Sequence, residues 1–369
     1  MRFSVTNLCT EAATTVTASS ANPNFPASNL KNPLRSKRWR SAGTFEVSAT
    51  NNKIDFKEAS GGVQLTATIT SGTYSTSGLA LEIKTRMQAA GVAVYTVTFS
   101  STTGLWTIAS SGAFFSLLNT SGTNAAASLL KASLGFPNTD KLGALTYTGS
   151  TIAIHTKERI VFDMKTAQDI SLVSLFWPKE DGIKLSSSAV VKIEANATNV
   201  WTSPAVSQTL TVDDTYMVAS HFPATPMSYR YMSVTIEDAS NPYLYVELGL
   251  AWIGEDLGFS EPENGFKFNI SDNSNISRTD FGHEYVDEYP QTVSVDFNYS
   301  FIQYATAQAI EAAYRKNGSR KPVLCVFDDQ QLVFDKDHFL VYGKMEKSFG
   351  LSHVSFDLFS GGLKITELG

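Results

Sequence analysis

The most restrictive feature of this chain is a separation. Residues 21–41 form a proline-punctuated, irregular run that ends on a basic, tryptophan-centred strand start, Arg38-Trp39-Arg40-Ser41. The strands suited to join it come only after a long gap, at Arg159-Ile-Val-Phe-Asp-Met164 and Ile170-Ser-Leu-Val-Ser-Leu-Phe176. That spacing implies a β-sandwich with another domain spliced into one of its loops. Sandwiches of this kind bind and assemble more often than they catalyse.

The 369 residues exceed one ordinary domain, and the length prior suggests two or three. With 43% hydrophobic and 17% charged residues, a large core can form and disorder is not expected. A formal net charge of −6 argues against a general nucleic-acid binder, which needs a basic footprint. No stretch approaches the roughly 20 apolar residues of a membrane span. Phe3–Cys9 is too broken by polar residues for a signal-peptide core, so synthesis in the cytoplasm is expected. The Asn-x-Ser/Thr triplets at Asn119, Asn196 and Asn269 then reflect composition. Cys9 and Cys325 lie at opposite ends of the chain and suggest neither a disulfide framework nor a zinc site. Cys325, inside Val323–Phe327, reads as a buried thiol.

Period-two alternation dominates. Val63–Ile69, Val94–Phe99 and Val293–Tyr299 each put one side-chain type on each face, as half-buried strands do. Short intervals between turn residues favour a sandwich over a parallel sheet. Three helices stand out. One runs from about Leu79 to Ala90, capped by Ser77, with Leu79, Ile83, Met87 and Ala90 on one face and Gly91 as its stop. A second covers roughly Asn124 to Leu134 and exits through Gly135-Phe136-Pro137. The third spans Gln303 to Lys316, with Ile302, Ala309, Ile310 and Ala313 inward. These divide the chain. Residues 1–50 and 150–255 read as one sandwich and 51–149 as an inserted α+β unit. The acidic linker Gly254–Gly265 leads to a third unit, 266–369.

Signals for catalysis are absent. There is no nucleophile elbow, and Gly343-Lys344 lacks the offsets of a phosphate loop. His155, His221, His283, His338 and His353 are scattered, with no metal-ligand spacing among them. The acidic pairs Glu180-Asp181, Asp213-Asp214 and Asp328-Asp329 fall where turns belong, which aspartate favours by mimicking turn hydrogen bonds. Oxygen ligands for calcium at such places are rarer than plain turns. No cofactor is expected, and the chain does not read as an enzyme.

The basic run Arg35, Lys37, Arg38, Arg40 around Trp39 has the composition to bind phosphate or acidic sugars. Alternating charges about a buried tryptophan more often mark a strand with one solvated face, so Trp39 and Arg40 are read as a structural anchor. Sugar rings stack on flat apolar faces while polar neighbours take their hydroxyls. That logic selects Trp177, Trp201 with Asn199, and His221 as candidate glycan contacts, with Trp201 the better exposed.

Three resemblances add to this. On Asn29-Leu30, Arg38–Ser41, Ile160–Asp163, Ile170–Val173 and Tyr231–Ile236, the outer sandwich resembles the discoidin, or coagulation-factor type C, jelly roll. There the tryptophan is a core anchor. On Thr68–Tyr74, Tyr95–Phe99, Gly104–Ile108, Ser121–Asn124 and Leu134–Phe136 closed by Thr139-Asp140, the inserted unit resembles a module of tailed-bacteriophage virion proteins. The third unit is similar to the ring-forming part of phage distal tail proteins. It carries a strand near Ser277-Arg278, then Gly318-Ser-Arg-Lys-Pro-Val-Leu324, with Phe281-Gly282 where a glycine pair is usual.

These resemblances imply a mainly β fold: a discoidin-like sandwich, an inserted α+β domain and a C-terminal α+β ring-forming domain. They imply a structural component of a phage tail tip or baseplate, a homo-oligomeric ring with Arg278 and Arg320 at its interface. Its partners would be other tail proteins and host surface glycans, without nucleic acid or membrane insertion. Its location would be the virion tail. The competing reading is a carbohydrate-binding receptor-recognition protein.

Overall fold

A computed structural model describes residues 1–59, 61–100, 103–151, 158–179, 182–238, 241, 243, 245–259, 265–279, 281, 283–289, 291–327 and 339–368. The fold is mainly β, as expected, and its buried side chains fall into three large clusters.

The first cluster fills a sandwich. A five-stranded antiparallel sheet runs in the order Val206–Leu210, Val190–Asn196, Met227–Glu237, Glu158–Ile170, Thr15–Ala18. It shares its core with a three-stranded sheet of Val218–His221, Leu172–Phe176 and Leu250–Gly254. Glu158–Ile170 contains the strand expected at Arg159–Met164; its burial alternates from Glu158 to Met164, and Ile160 and Phe162 enter the core. Leu172–Phe176 and Leu250–Gly254 do not alternate: every residue of both is buried. The reason lies outside the sandwich. Leu172, Phe176, Leu250 and Trp252 pack on Leu324 and Tyr342 of the C-terminal sheet, so the three-stranded sheet is covered on both faces.

The second cluster belongs to the residues between. A four-stranded sheet (Lys141–Ala144, Phe115–Leu117, Lys53–Glu58, Leu65–Thr68) and a three-stranded one (Thr146–Thr148, Leu105–Ser111, Val94–Ser100) enclose helix α1, Thr76–Ala90. Leu79, Ile83 and Met87 are its buried stripe, as predicted. The cap, however, is Ser75, whose hydroxyl accepts from the Gly78 amide at 3.2 Å, one turn boundary earlier than Ser77. The strand Thr44–Val47 already pairs with Gly72–Ser75, so this unit begins before residue 51.

The predicted helix over Asn124–Leu134 is not continuous. Ala125–Ala127 forms a 3-10 turn and Leu129–Ala132 a single α-turn (α2), separated by Ser128 in extended geometry. Asp55 explains part of the break: its carboxylate takes the Asn124 amide at 2.6 Å and fixes the segment to a neighbouring strand. The glycine exit is present. Gly135 has φ +71°, the Phe136 amide returns to the Leu130 carbonyl, and a Cβ at Gly135 would lie 2.1 Å from the Thr151 carbonyl oxygen.

The third cluster lies under a seven-stranded sheet. Its path is Arg2–Ser4, Val323–Val326, Leu340–Met345, Leu358–Glu367, Thr292–Gln303, Phe266–Ser271, with Gly350–Ser355 beside Leu358–Glu367. Helix α3, Tyr304–Asn317, buries Ala307, Ile310 and Ala313 against it and stops at Gly318. The N-terminal strand thus joins this sheet, antiparallel to Val323–Val326, rather than the sandwich with which its sequence position groups it.

Candidate functional site

The structure scatters the residues singled out for glycan contact. Trp177 is fully buried in the sandwich core, its carbonyl taking two bonds from Arg35, and it offers no face to a ligand. Trp201 is half-buried. Its indole donates to the Asn199 side-chain oxygen at 2.7 Å, and the Arg159 guanidinium covers one ring face at 4.9 Å. His221 ends a strand of the other sheet, so it does not join that pair. Arg278 lies on an exposed hairpin in an ion pair with Glu284. Arg320 is exposed after α3, beside a groove of about 700 Å³ that also holds Tyr314 and Phe349.

Other expectations resolve locally. Trp39 is fully buried, with its indole donating to the Ser20 carbonyl at 2.9 Å. The Asp213 carboxylate accepts the amides of Thr215 and Tyr216, an ordinary Asx turn. Glu180-Asp181, Asp328-Asp329, His155 and His338 lie outside the described residues. Among the described residues no three His, Cys, Asp or Glu side chains gather as metal ligands, and no helix is long and apolar enough to cross a membrane. Burial pushes the thiols of Cys9 and Cys325 well up, which disfavours the thiolate.

Arg40 is where polar and aromatic groups converge. The short pair Trp39–Arg40 with Glu247–Leu248 sets Arg40 opposite Glu247. Before it, the turn Asn22–Phe25 is clipped onto the same strand: the Asn22 amide donates to the Arg40 carbonyl, and the Arg40 amide to the Phe25 carbonyl. Phe25 is thereby laid over the Arg40 guanidinium at 4.5 Å, and Tyr245 lies against it at 4.1 Å. Guanidinium stacking of this kind is favourable and restricts rotation of the side chain. Arg40 Nε and Nη2 both donate to Glu247 Oε2, at 3.1 and 3.0 Å. Arg38 Nε approaches the same oxygen at 3.3 Å. Glu247 is only 1% exposed, so one buried carboxylate faces two guanidinium groups.

This arrangement forms one wall of a cleft of about 670 Å³ between the sandwich and the inserted unit. From the sandwich come Asn22, Arg40, Ser41, Tyr243 and Tyr245. From the inserted unit come Thr76, Ser77 and Ala80 at the start of α1, with Thr98 and Phe99. Tyr243 is 43% exposed, and the Lys184 ammonium sits 4.8 Å from its ring centre. Asn241 shapes this loop, its side chain donating to the carbonyls of Lys184 and Tyr245 and accepting the Tyr243 amide.

Below the junction, buried Glu158 accepts from Ser19 and Ser20 of the sandwich and from Thr44 of the inserted unit's first strand. Burial raises its carboxyl above the ordinary value, against the opposing pull of the three hydroxyls. It ties together the outgoing and returning crossings of the insertion. Sequence reasoning singled out Arg40 only as a structural anchor and did not single out Tyr243, Tyr245, Asn22 or Phe25. The available signal was Tyr243-Leu244-Tyr245, two aromatics at period-two spacing ahead of an apolar strand.

No protein family model matches the chain, and no curated protein matches it. Among solved structures, it is similar to the family 32 carbohydrate-binding module of C. perfringens NanJ in complex with galactose. That likeness has 8% identity and a TM-score of 0.31, covering 69% of this chain and 99% of the other. A second is chitosan-binding module 1 of a chitosanase/glucanase from Paenibacillus sp. IK-5, at 12% identity and a TM-score of 0.30, covering 68% and 99%. A third is a Clostridium perfringens module, CpGH89CBM32-5, in complex with GalNAc-β-1,3-galactose, at 5% identity and a TM-score of 0.30, covering 68% and 100%.

Proposed function

We propose that the chain is a carbohydrate-recognition protein whose site is the cleft between the sandwich and the inserted unit. The observation that carries this is the Arg40 guanidinium, clamped between Phe25 and Tyr245 on one wall of a cleft with hydroxyl-bearing side chains on the other. A saccharide presents apolar C–H faces and a dense rim of hydroxyls. Tyr243, 43% exposed, supplies aromatic surface for the first, and Asn22, Ser41, Thr76, Ser77 and Thr98 supply polar partners for the second. The role suits the host-contacting end of a virion tail, toward which the sequence resemblances point.

The test is a glycan array followed by titration of the best binder. Tyr243→Ala is expected to weaken binding about ten-fold, roughly 1.4 kcal/mol, in line with loss of one aromatic stacking contact. Unchanged affinity in Tyr243→Ala with loss in Trp201→Ala moves the site to the outer face near Arg159 and overturns this placement.

A second reading, self-assembly through the C-terminal unit, is favoured by one specific observation. Asn275–Arg278 and Glu284–Asp287 pair with each other and with no other strand among the described residues. Their cross-strand pair Ile276 and Val286 is 58% and 51% exposed, and Tyr285 is 63% exposed. Exposed apolar strand surface of this kind usually meets a partner. Arg278 and Arg320 are the proposed interface charges. Sedimentation is expected to find an oligomer that Ile276→Lys reduces to monomer, and a wild-type monomer at high concentration sinks this reading.

A further inference from the structure

Resting on the carbohydrate reading, we infer that the cleft takes an oligosaccharide of at least two sugars, one held by the sandwich wall and the next by the wall of the inserted unit. The two walls are equipped alike. On the sandwich side Tyr243 presents aromatic surface, and Asn22 Nδ2, Tyr243 Oη and Tyr245 Oη make no hydrogen bond among the described residues. On the other side the half-buried Phe99 presents a second aromatic surface, and Thr76 Oγ1 and Thr98 Oγ1 make no hydrogen bond among the described residues either. A sugar needs an apolar surface under its ring and polar partners at its rim, and each wall has both.

Both walls are built into the cores behind them. Phe99 packs on Phe45 and Trp106, with ring centres 6.3 and 5.3 Å apart. Thr98 lies in the strand Val94–Ser100 and Thr76 opens α1, both elements of the inserted unit's core. Across the cleft, Asn241 fixes the loop that carries Tyr243, whose ring centre lies 6.3 Å from that of Tyr245. Glu158 joins the two units through Ser19, Ser20 and Thr44. The volume of about 670 Å³ lies within the roughly 300–1,000 Å³ of pockets that enclose drug-sized ligands. A single hexose is smaller than such a ligand, and stacked on one wall it leaves the polar atoms of the other in water. A second sugar linked to the first meets the opposite wall as an intramolecular contact, without paying again for lost translational freedom.

The experiment titrates the full chain calorimetrically with galactose, glucose and N-acetylglucosamine, each from the monosaccharide to its β-1,4-linked tetrasaccharide. In a series that binds, affinity is expected to rise about ten-fold or more from monosaccharide to disaccharide. Thr76→Ala combined with Thr98→Ala is expected to reduce that ratio to within about two-fold. Thr76→Ser combined with Thr98→Ser keeps both hydroxyls and is expected to restore the ratio, which a general loss of folding would not allow. Tyr243→Ala is expected to lower the affinity at every length. Equal affinity for a monosaccharide and its oligomers overturns the inference and leaves the carbohydrate reading intact. A gain with length that survives the double alanine variant also overturns it, because the second sugar then lies away from the inserted unit. No binding of any probe or array glycan removes both.

Discussion

Trp39→Ala is expected to destabilise the sandwich by about 3–5 kcal/mol, the range for truncating a large buried aromatic. Trp39 is wholly enclosed and packs with Leu30, Leu248 and the facing sheets, so removal leaves a cavity that the framework fills poorly. A second cost adds to the first. The Ser20 carbonyl loses the indole donor and is left in a partly buried position. Trp39→Phe keeps much of the volume but not the hydrogen bond, and a loss between wild type and alanine is expected. Urea unfolding with separate sandwich and insert probes checks this. A loss below about 1 kcal/mol for the alanine variant would be of the size seen at ordinary surface positions and would remove Trp39 as the anchor.

Much of the fold was legible because it is written locally. Alternation in Val94–Phe99 and Val293–Tyr299 marked strands that exist, and Gly91 and Gly318 marked where helices stop. What escaped depends on pairing between distant residues. Nothing in Arg2-Phe3-Ser4 announces Val323–Val326 as its neighbour, because a three-residue strand carries no register signal. Trp177 shows the same limit. It is enclosed because its side chain turns into the sandwich core, a fact that only tertiary packing supplies. Asn124–Leu134 has a helical composition, yet Asp55, which lies far earlier in the chain, captures its first amide. The cleft is the extreme case. Arg40, Phe25 and Tyr245 are brought together by one two-residue strand pair, so each reads alone as an unremarkable residue near a turn.

Removing Glu247 is the change expected to damage fold and site together. Glu247→Ala removes the carboxylate that the Arg38 and Arg40 guanidinium groups share, and breaking a buried ion pair on one side costs about 3–5 kcal/mol. The loss should fall near the lower end, since the Arg38 and Arg40 side chains remain 15% and 20% exposed and can be partly solvated. Glu247→Gln keeps an acceptor but not the charge, so its expected cost is about 1.5–3 kcal/mol, that of a charge-assisted hydrogen bond. Binding separates the two variants further. In Glu247→Ala the Arg40 guanidinium loses the oxygen that takes its Nε and Nη2, and affinity for the bound saccharide is expected to fall more than ten-fold. In Glu247→Gln the tether persists in weaker form, so affinity should be largely retained. Unfolding midpoints and calorimetric titration on the same samples check both effects. Should Glu247→Ala bind as wild type does, Phe25 and Tyr245 alone position Arg40, and the carboxylate serves the fold only.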